Sequence, residues 1–324
     1  MLKGVLFALA SGLMWGLIFV GPMIVPDYPA SMQSTGRYVA FGAIALVVAW
    51  IKRDALRELS RADWIEALKQ TVIGNLIYYF FLASAIQRTG SPISTMIIGT
   101  LPVVISVSAN LFYGQKEGKL SWRKLTPALL VIALGLGLVN VAELKGNTEP
   151  FDPWRYGTGI AMALAALACW TWFPLRNARW LRENPDKSPI TWSAAQGLVT
   201  LPLATVAFLL VCAQLSISHS GIALPFGPRP WVFIGLMIAI GVFCSWVGAL
   251  CWNEASQRLP TVLLGPLIVF EILAGLGYAF LLRQQWPPLM TLAGIACLVI
   301  GVIVAMRIKP EPVQPLAQKN LHTP

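Results

Sequence analysis

Apolar runs long enough to cross a bilayer recur along the whole chain, separated by short polar segments. A helical span needs roughly 20 predominantly apolar residues. Ten such runs can be read, at about 3–21, 33–51, 70–88, 92–113, 125–142, 157–177, 191–214, 231–256, 261–282 and 288–306. The connections leave no room for a separate soluble domain. The pattern therefore predicts an all-α polytopic membrane protein. The run from Lys3 is flanked like a signal peptide, but no small-residue cleavage site follows it and further runs do, so it is read as the first span. The segment 310–324 is polar and Pro-rich and is expected to be a disordered cytoplasmic tail.

The ten runs divide into two halves of five, 1–146 and 147–309. KGVLFALASGLMWG (3–16) aligns with TGIAMALAALACWT (158–171), sharing Gly4/Gly159, Ala8/Ala163, Leu9/Leu164, Ala10/Ala165 and Trp15/Trp170. The third and eighth runs end alike, with Ala85/Ala255 and Gln87-Arg88/Gln257-Arg258. The fourth and ninth share Pro102/Pro266, and the fifth and tenth share Gly137/Gly301. Five is odd, so the second half must start on the opposite side of the membrane. Two inverted repeats are a transporter architecture, because similar halves can rock about a midplane site and expose it alternately.

Charge refines this picture. Only 12% of residues are charged, against roughly 25% in soluble domains. The net charge of +10 sits in short connecting segments, densest in KRDALRELSRADWIEALK (52–69). That pattern suits anionic lipid and gives no concentrated nucleic-acid stripe. With the N-terminus inside, 18 basic residues fall on the inner side and six on the outer, Arg37 counted among the outer ones. Both termini are thus expected in the cytoplasm. The five cysteines lie within apolar runs and read as packing residues. No catalytic motif or metal-ligand cluster is present, so neither an enzyme nor a cofactor is expected. The ten spans can bury their polar faces within one chain, and the expected working unit is a monomer.

Candidate chemistry lies inside the runs. Thr261–Leu282 carries a single charge, Glu271, five residues after Pro266. An intramembrane acid is costly and usually functional. Three roles are open: a structural hydrogen bonder beside a kink, a ligand for a substrate ammonium, or a proton-coupling site. Glu254 is the other acid expected within a span. Asn75, Tyr78 and Tyr79 mark one face of the third run, and Trp170 and Trp172 the sixth. Gly241, Ser245, Ala249, Asn253 and Gln257 form a small, polar stripe in the eighth, beside Trp246. Packing explains such stripes as readily as binding does. Trp122, Trp154, Trp180, Trp192 and Trp231 lie near span ends and are expected in interfacial belts. Ala8, Gly12 and Gly16 predict a close helix contact, and Pro102 and Pro266 predict kinks at matching positions that could act as hinges.

These residues resemble the drug/metabolite transporter (DMT) superfamily and its EamA-type members. WFPLRNARWL, TWSAAQGLVTLP, WVFIGLMIAIGVFCSWVGALCWNEASQRLP and LIVFEILAGLGYAFLLR are similar to the YddG group of aromatic amino acid exporters. The resemblance implies export of Phe, Tyr and Trp, with other apolar amino acids or flat aromatic cations as further candidates, across a bacterial inner membrane. It implies a central cavity whose substrate-binding residues are Tyr78, Tyr79, Trp170, Ser245, Trp246, Asn253 and Glu271. Many EamA-type proteins carry an acid at the end of the ninth span, where this chain has Arg283-Gln284-Gln285. The competing expectations are an exporter of other metabolites or flat cationic drugs, and a non-transporting structural or sensory subunit.

Overall fold

Local chemistry sets two helix starts in the computed structural model, which describes residues 2–19, 21–114, 120–143, 153–218, 221–284 and 286–308. The expected tail lies outside these residues. Ser60 opens a helix through a capping box: its hydroxyl accepts from the Asp63 amide, and the Asp63 carboxylate accepts from the Ser60 amide at 2.8 Å. Ser188 caps another by accepting from the Thr191 amide, with Pro189 preset for the first turn.

The described residues are helical, with no strand among them. The elements are α1 (Leu2–Gly16), α2 (Gly21–Ile24), α3 (Ala30–Ile51), α4 (Arg53–Arg57), α5 (Arg61–Thr71), α6 (Tyr78–Ile98), α7 (Leu101–Phe112), α8 (Trp122–Glu143), α9 (Pro153–Glu183), α10 (Pro189–Ile217), α11 (Pro230–Ile240), α12 (Ala249–Arg258), α13 (Thr261–Arg283) and α14 (Leu289–Met306). Two π-helical segments, Val72–Ile77 and Gly241–Gly248, join α5 to α6 and α11 to α12 without a break. Among the described residues, seven helices are long and apolar enough to cross a membrane, the continuous Pro230–Arg258 stretch counted as one, and α1 and α7 are shorter apolar helices. The main packing partners are α3 with α10, α6 with α9, α8 with α14, α13 with both α1 and α7, and α1 with the α11–α12 rod.

Glycine sets two of these contacts. A Cβ on Gly12 would lie 2.9 Å from the Phe270 ring and 3.1 Å from the Glu271 amide nitrogen, and one on Gly16 would lie 2.7 Å from Ala274. The small face of α1 thus presses on α13 at Glu271, as its spacing predicted. Gly265 does the same for α7, whose Pro102 carbonyl would be 2.7 Å from an added Cβ.

The two prolines sit differently in their helices. Pro266 lies inside α13, where it leaves the Val262 carbonyl without its usual amide partner. Pro102 instead sits in the first turn of α7, where a proline costs little. The third run extends through Ile98, and the break falls at Gly99–Thr100 and not before residue 92. The chain turns there because Thr100 begins a new helix whose first turn already accommodates a proline.

Candidate functional site

Five aromatic rings meet where α1, α6, α9 and α12 converge. Trp170 stands edge-on to Trp15 at 6.1 Å, to Tyr78 at 5.9 Å and to Phe173 at 5.4 Å between ring centroids. Trp15 in turn lies 5.2 Å from Trp252, whose indole nitrogen is buried and has no acceptor among the described residues. Edge-to-face pairs of this kind contribute about 0.5–1.5 kcal/mol each beyond area burial. Both π segments border this cluster. Gly74 lies against the Phe173 ring, Gly248 lies against Trp15, and Ser11 donates to the Gly248 carbonyl at 2.8 Å. A π segment leaves backbone groups out of step with their neighbours, and such segments concentrate at functional sites.

Glu271 is delivered to this region by the α1–α13 contact and is partly buried there. It lies in the electrostatic field of Arg37, and the charges of both act on Tyr78. Arg37 lies within α3, which begins at Ala30, in keeping with the run read at 33–51. Its Nε is buried without an acceptor among the described residues, and its guanidinium carbon lies 4.5 Å from the Tyr38 ring. A cation held within a membrane helix costs roughly 2.5–3.5 kcal/mol by insertion scales, so an unsatisfied one is a functional candidate.

Of the seven expected binding residues, Tyr78, Trp170 and Glu271 come together. Tyr79 is adjacent but turns toward Ser31 at the start of α3, since consecutive helical residues point about 100° apart. Trp246 belongs to a second cluster, 6.1 Å from Phe41, and Ser245 is partly buried on the same segment. Asn253 has a different setting altogether.

Asn253 belongs to a buried polar chain that closes the basic end of the bundle. Its carboxamide accepts from Asn177 at 2.7 Å and donates to Ser193 at 2.8 Å. The Asn177 oxygen accepts from Trp192 at 2.8 Å and from Gln196 at 3.1 Å. Gln196 also donates to Gln70 at 2.9 Å, and Gln70 to Glu66 at 3.1 Å. Glu66 ends the chain by accepting from Arg176 through both oxygens, at 2.6 and 3.0 Å. Beside it, Lys187 and Trp180 donate to Asp63, at 2.6 and 3.3 Å. This arrangement ties α5 to α9, α10 and α12.

Trp180 and Trp192, expected in an interfacial belt, are 5% and 0% exposed and stack at 3.5 Å within this closure. Their indole N–H groups reach Asp63 and Asn177, which bury them better than a lipid headgroup would. Trp154 and Trp231 are exposed, at 81% and 83%, as belt residues should be. Glu254 lies within α12, as expected, and pairs with Arg258 at this same end.

Burial opposes ionisation of Glu66, but donors from Arg176 and Gln70 outweigh it and hold its carboxyl below the usual range. Asp63 behaves likewise: burial is outweighed by Lys187 and Ser60. The opposite end is tied more weakly, by Asp27 and Arg229 at 2.7 Å, and both are about 40% exposed. Exposed pairs contribute only about 0–1 kcal/mol.

Sequence reasoning missed Arg37, Gln70, Asn177 and Gln196. The signal available was polarity within apolar runs, which small-residue spacing overshadowed.

A model of the EamA-like transporter family matches residues 2–141. The Inner membrane protein YtfF of Escherichia coli (strain K12) is 65% identical over 311 residues, covering 96% of this chain and 97% of that protein. Its name gives a location and no substrate. A solved crystal structure superposes with a TM-score of 0.72 at 17% identity, covering 93% of this chain and 96% of that one, which establishes a shared fold.

Proposed function

We propose that this chain, which belongs to the EamA-like transporter family, exports aromatic amino acids across the bacterial inner membrane by alternating access. The family and the apolar helices make it a multi-pass membrane transporter; the substrate and the mechanism are our reading. The observation that carries it is the aromatic cluster of Trp15, Tyr78 and Trp170, with Glu271 within electrostatic range of Tyr78. Flat rings offer an aromatic side chain the same edge and face contacts that they make with one another. The similarity to the YddG group points the same way.

Helix pairing supports an inverted repeat. Exchanging each expected span with the one five later leaves the pairs α3–α10, α8–α14 and α7–α13 in place. It also turns α6–α9 into the α11–α12 rod against α1. The two π segments fall in the helices that this exchange relates, and a family match ending at residue 141 fits a repeat unit. The basic end is the cytoplasmic one on charge grounds. Its buried chain is then the inner gate, which must open for substrate to load.

Cells that overproduce the chain and are loaded with aromatic dipeptides are expected to release Phe, Tyr and Trp several-fold faster than control cells. Unchanged release of all three, with the protein present in the membrane, would overturn the substrate class. Faster release of nucleosides or flat quaternary cations alone would favour the metabolite or drug reading.

A further inference from the structure

We propose that the region between the aromatic cluster and α3 recognises the zwitterion of an α-amino acid, with Arg37 binding the substrate carboxylate and Glu271 receiving its ammonium group. The inference rests on the export reading and names the groups that would recognise its substrate.

Arg37 stands seven residues beyond the start of α3 at Ala30, about 10 Å along the helix at 1.5 Å per residue. Its neighbours fix which way that part of α3 faces. A Cβ on Gly36 would lie 3.1 Å from Met237, and one on Gly241 would meet Ala40 and come 3.2 Å from the Phe41 amide nitrogen. The helix is therefore pressed against the α11–α12 rod where the second π segment begins. Cys244 of that segment feels both Arg37 and Glu271, as does Tyr78 of α6. Four elements thus come near one another here, with a cation on α3 and an acid on α13.

The two charges do not pair. Arg37 Nε has no hydrogen-bond acceptor among the described residues, although it is buried, and no ion pair joins it to Glu271. Elsewhere in this chain, buried opposite charges close up fully: Arg176 meets Glu66 at 2.6 Å and Lys187 meets Asp63 at 2.6 Å. A structural pair in a low-dielectric interior would be expected to do the same. Charges held apart, each within the field of the other, suit a ligand that brings the complementary pair at its own separation. A zwitterion does this, and the planar guanidinium can grip a carboxylate through two parallel N–H donors. Tyr78 and Trp170 then flank the substrate side chain.

The test measures binding to the purified protein in lipid nanodiscs with four probes: tryptophan, its methyl ester and tryptamine, which lack the carboxylate, and indole-3-propionate, which lacks the ammonium. Wild type is expected to bind tryptophan at least about tenfold more tightly than the ester, the scale of one charge-assisted contact. Arg37→Gln should erase that preference by weakening tryptophan while leaving ester and tryptamine binding unchanged, which also reports an intact fold. Arg37→Lys should restore part of it. Glu271→Gln should weaken tryptophan and tryptamine but not indole-3-propionate. Equal weakening of tryptophan and its ester in Arg37→Gln, or a wild type indifferent to the carboxylate, overturns the proposal. If wild type binds no aromatic amino acid, the export reading fails by itself. Leucine and its methyl ester then decide Arg37 by the same acid-to-ester comparison.

Discussion

Replacing Glu66 with alanine is expected to destabilise the folded protein by about 3 kcal/mol, read as a lowered Tm in detergent micelles. Removing one member of a buried ion pair costs roughly 3–5 kcal/mol, mainly because the remaining charge and donors lose their acceptor. Here Arg176 loses both oxygens and Gln70 loses its acceptor. Arg176 is 31% exposed and can turn partly to water, which places the effect at the lower end of that range. Glu66→Gln keeps an acceptor and should cost about half as much, in line with single hydrogen bonds to charged groups.

The same network predicts acid sensitivity with a fixed sign. The Glu66 and Asp63 carboxyls are held below their unfolded values. Their contribution is therefore complete above the ordinary carboxylate range, about pH 4. It is lost as pH falls through the lower, folded values. The Tm of wild type should fall across that acid window, and Glu66→Gln should flatten the fall. An equal slope in both proteins would remove Glu66 from the account.

The second large effect is expected at Trp170. Its alanine variant loses the edge contacts to Trp15, Tyr78 and Phe173. Truncating a well-packed Trp costs about 3–5 kcal/mol of stability. At low substrate concentration, one lost aromatic pair with the ligand, about 1 kcal/mol, should lower transport by several-fold or more. Trp170→Phe keeps a ring at the site and should retain most of the flux. If the alanine variant folds and transports Trp at the wild-type rate, Trp170 lines no substrate path.

Much of this fold was legible because bilayer physics is severe. Length and apolarity alone marked out helices, and the Ala8, Gly12 and Gly16 spacing foretold the face that meets α13. The single charge in Thr261–Leu282 led to Glu271, near the aromatic cluster. What was not legible depends on partners far apart in sequence. Trp180 and Trp192 sit near span ends, as belt residues do, and only tertiary contacts between α5, α9 and α10 reveal that they are stacked inside a closure. Pro102 matches Pro266 in sequence, yet its effect depends on whether a helix is already under way. Arg37 falls within the second run, 33–51, yet nothing in that run says what its side chain faces. Its buried Nε, without an acceptor among the described residues, can be seen only in three dimensions.

The central claim is that one site in this bundle carries aromatic amino acids and faces the two sides in turn. Counterflow tests it most directly. Proteoliposomes preloaded with unlabelled tryptophan and diluted into labelled tryptophan are expected to accumulate label transiently above empty liposomes. Phenylalanine and tyrosine should compete. Folded, correctly inserted protein that gives no counterflow with any aromatic amino acid would contradict the account.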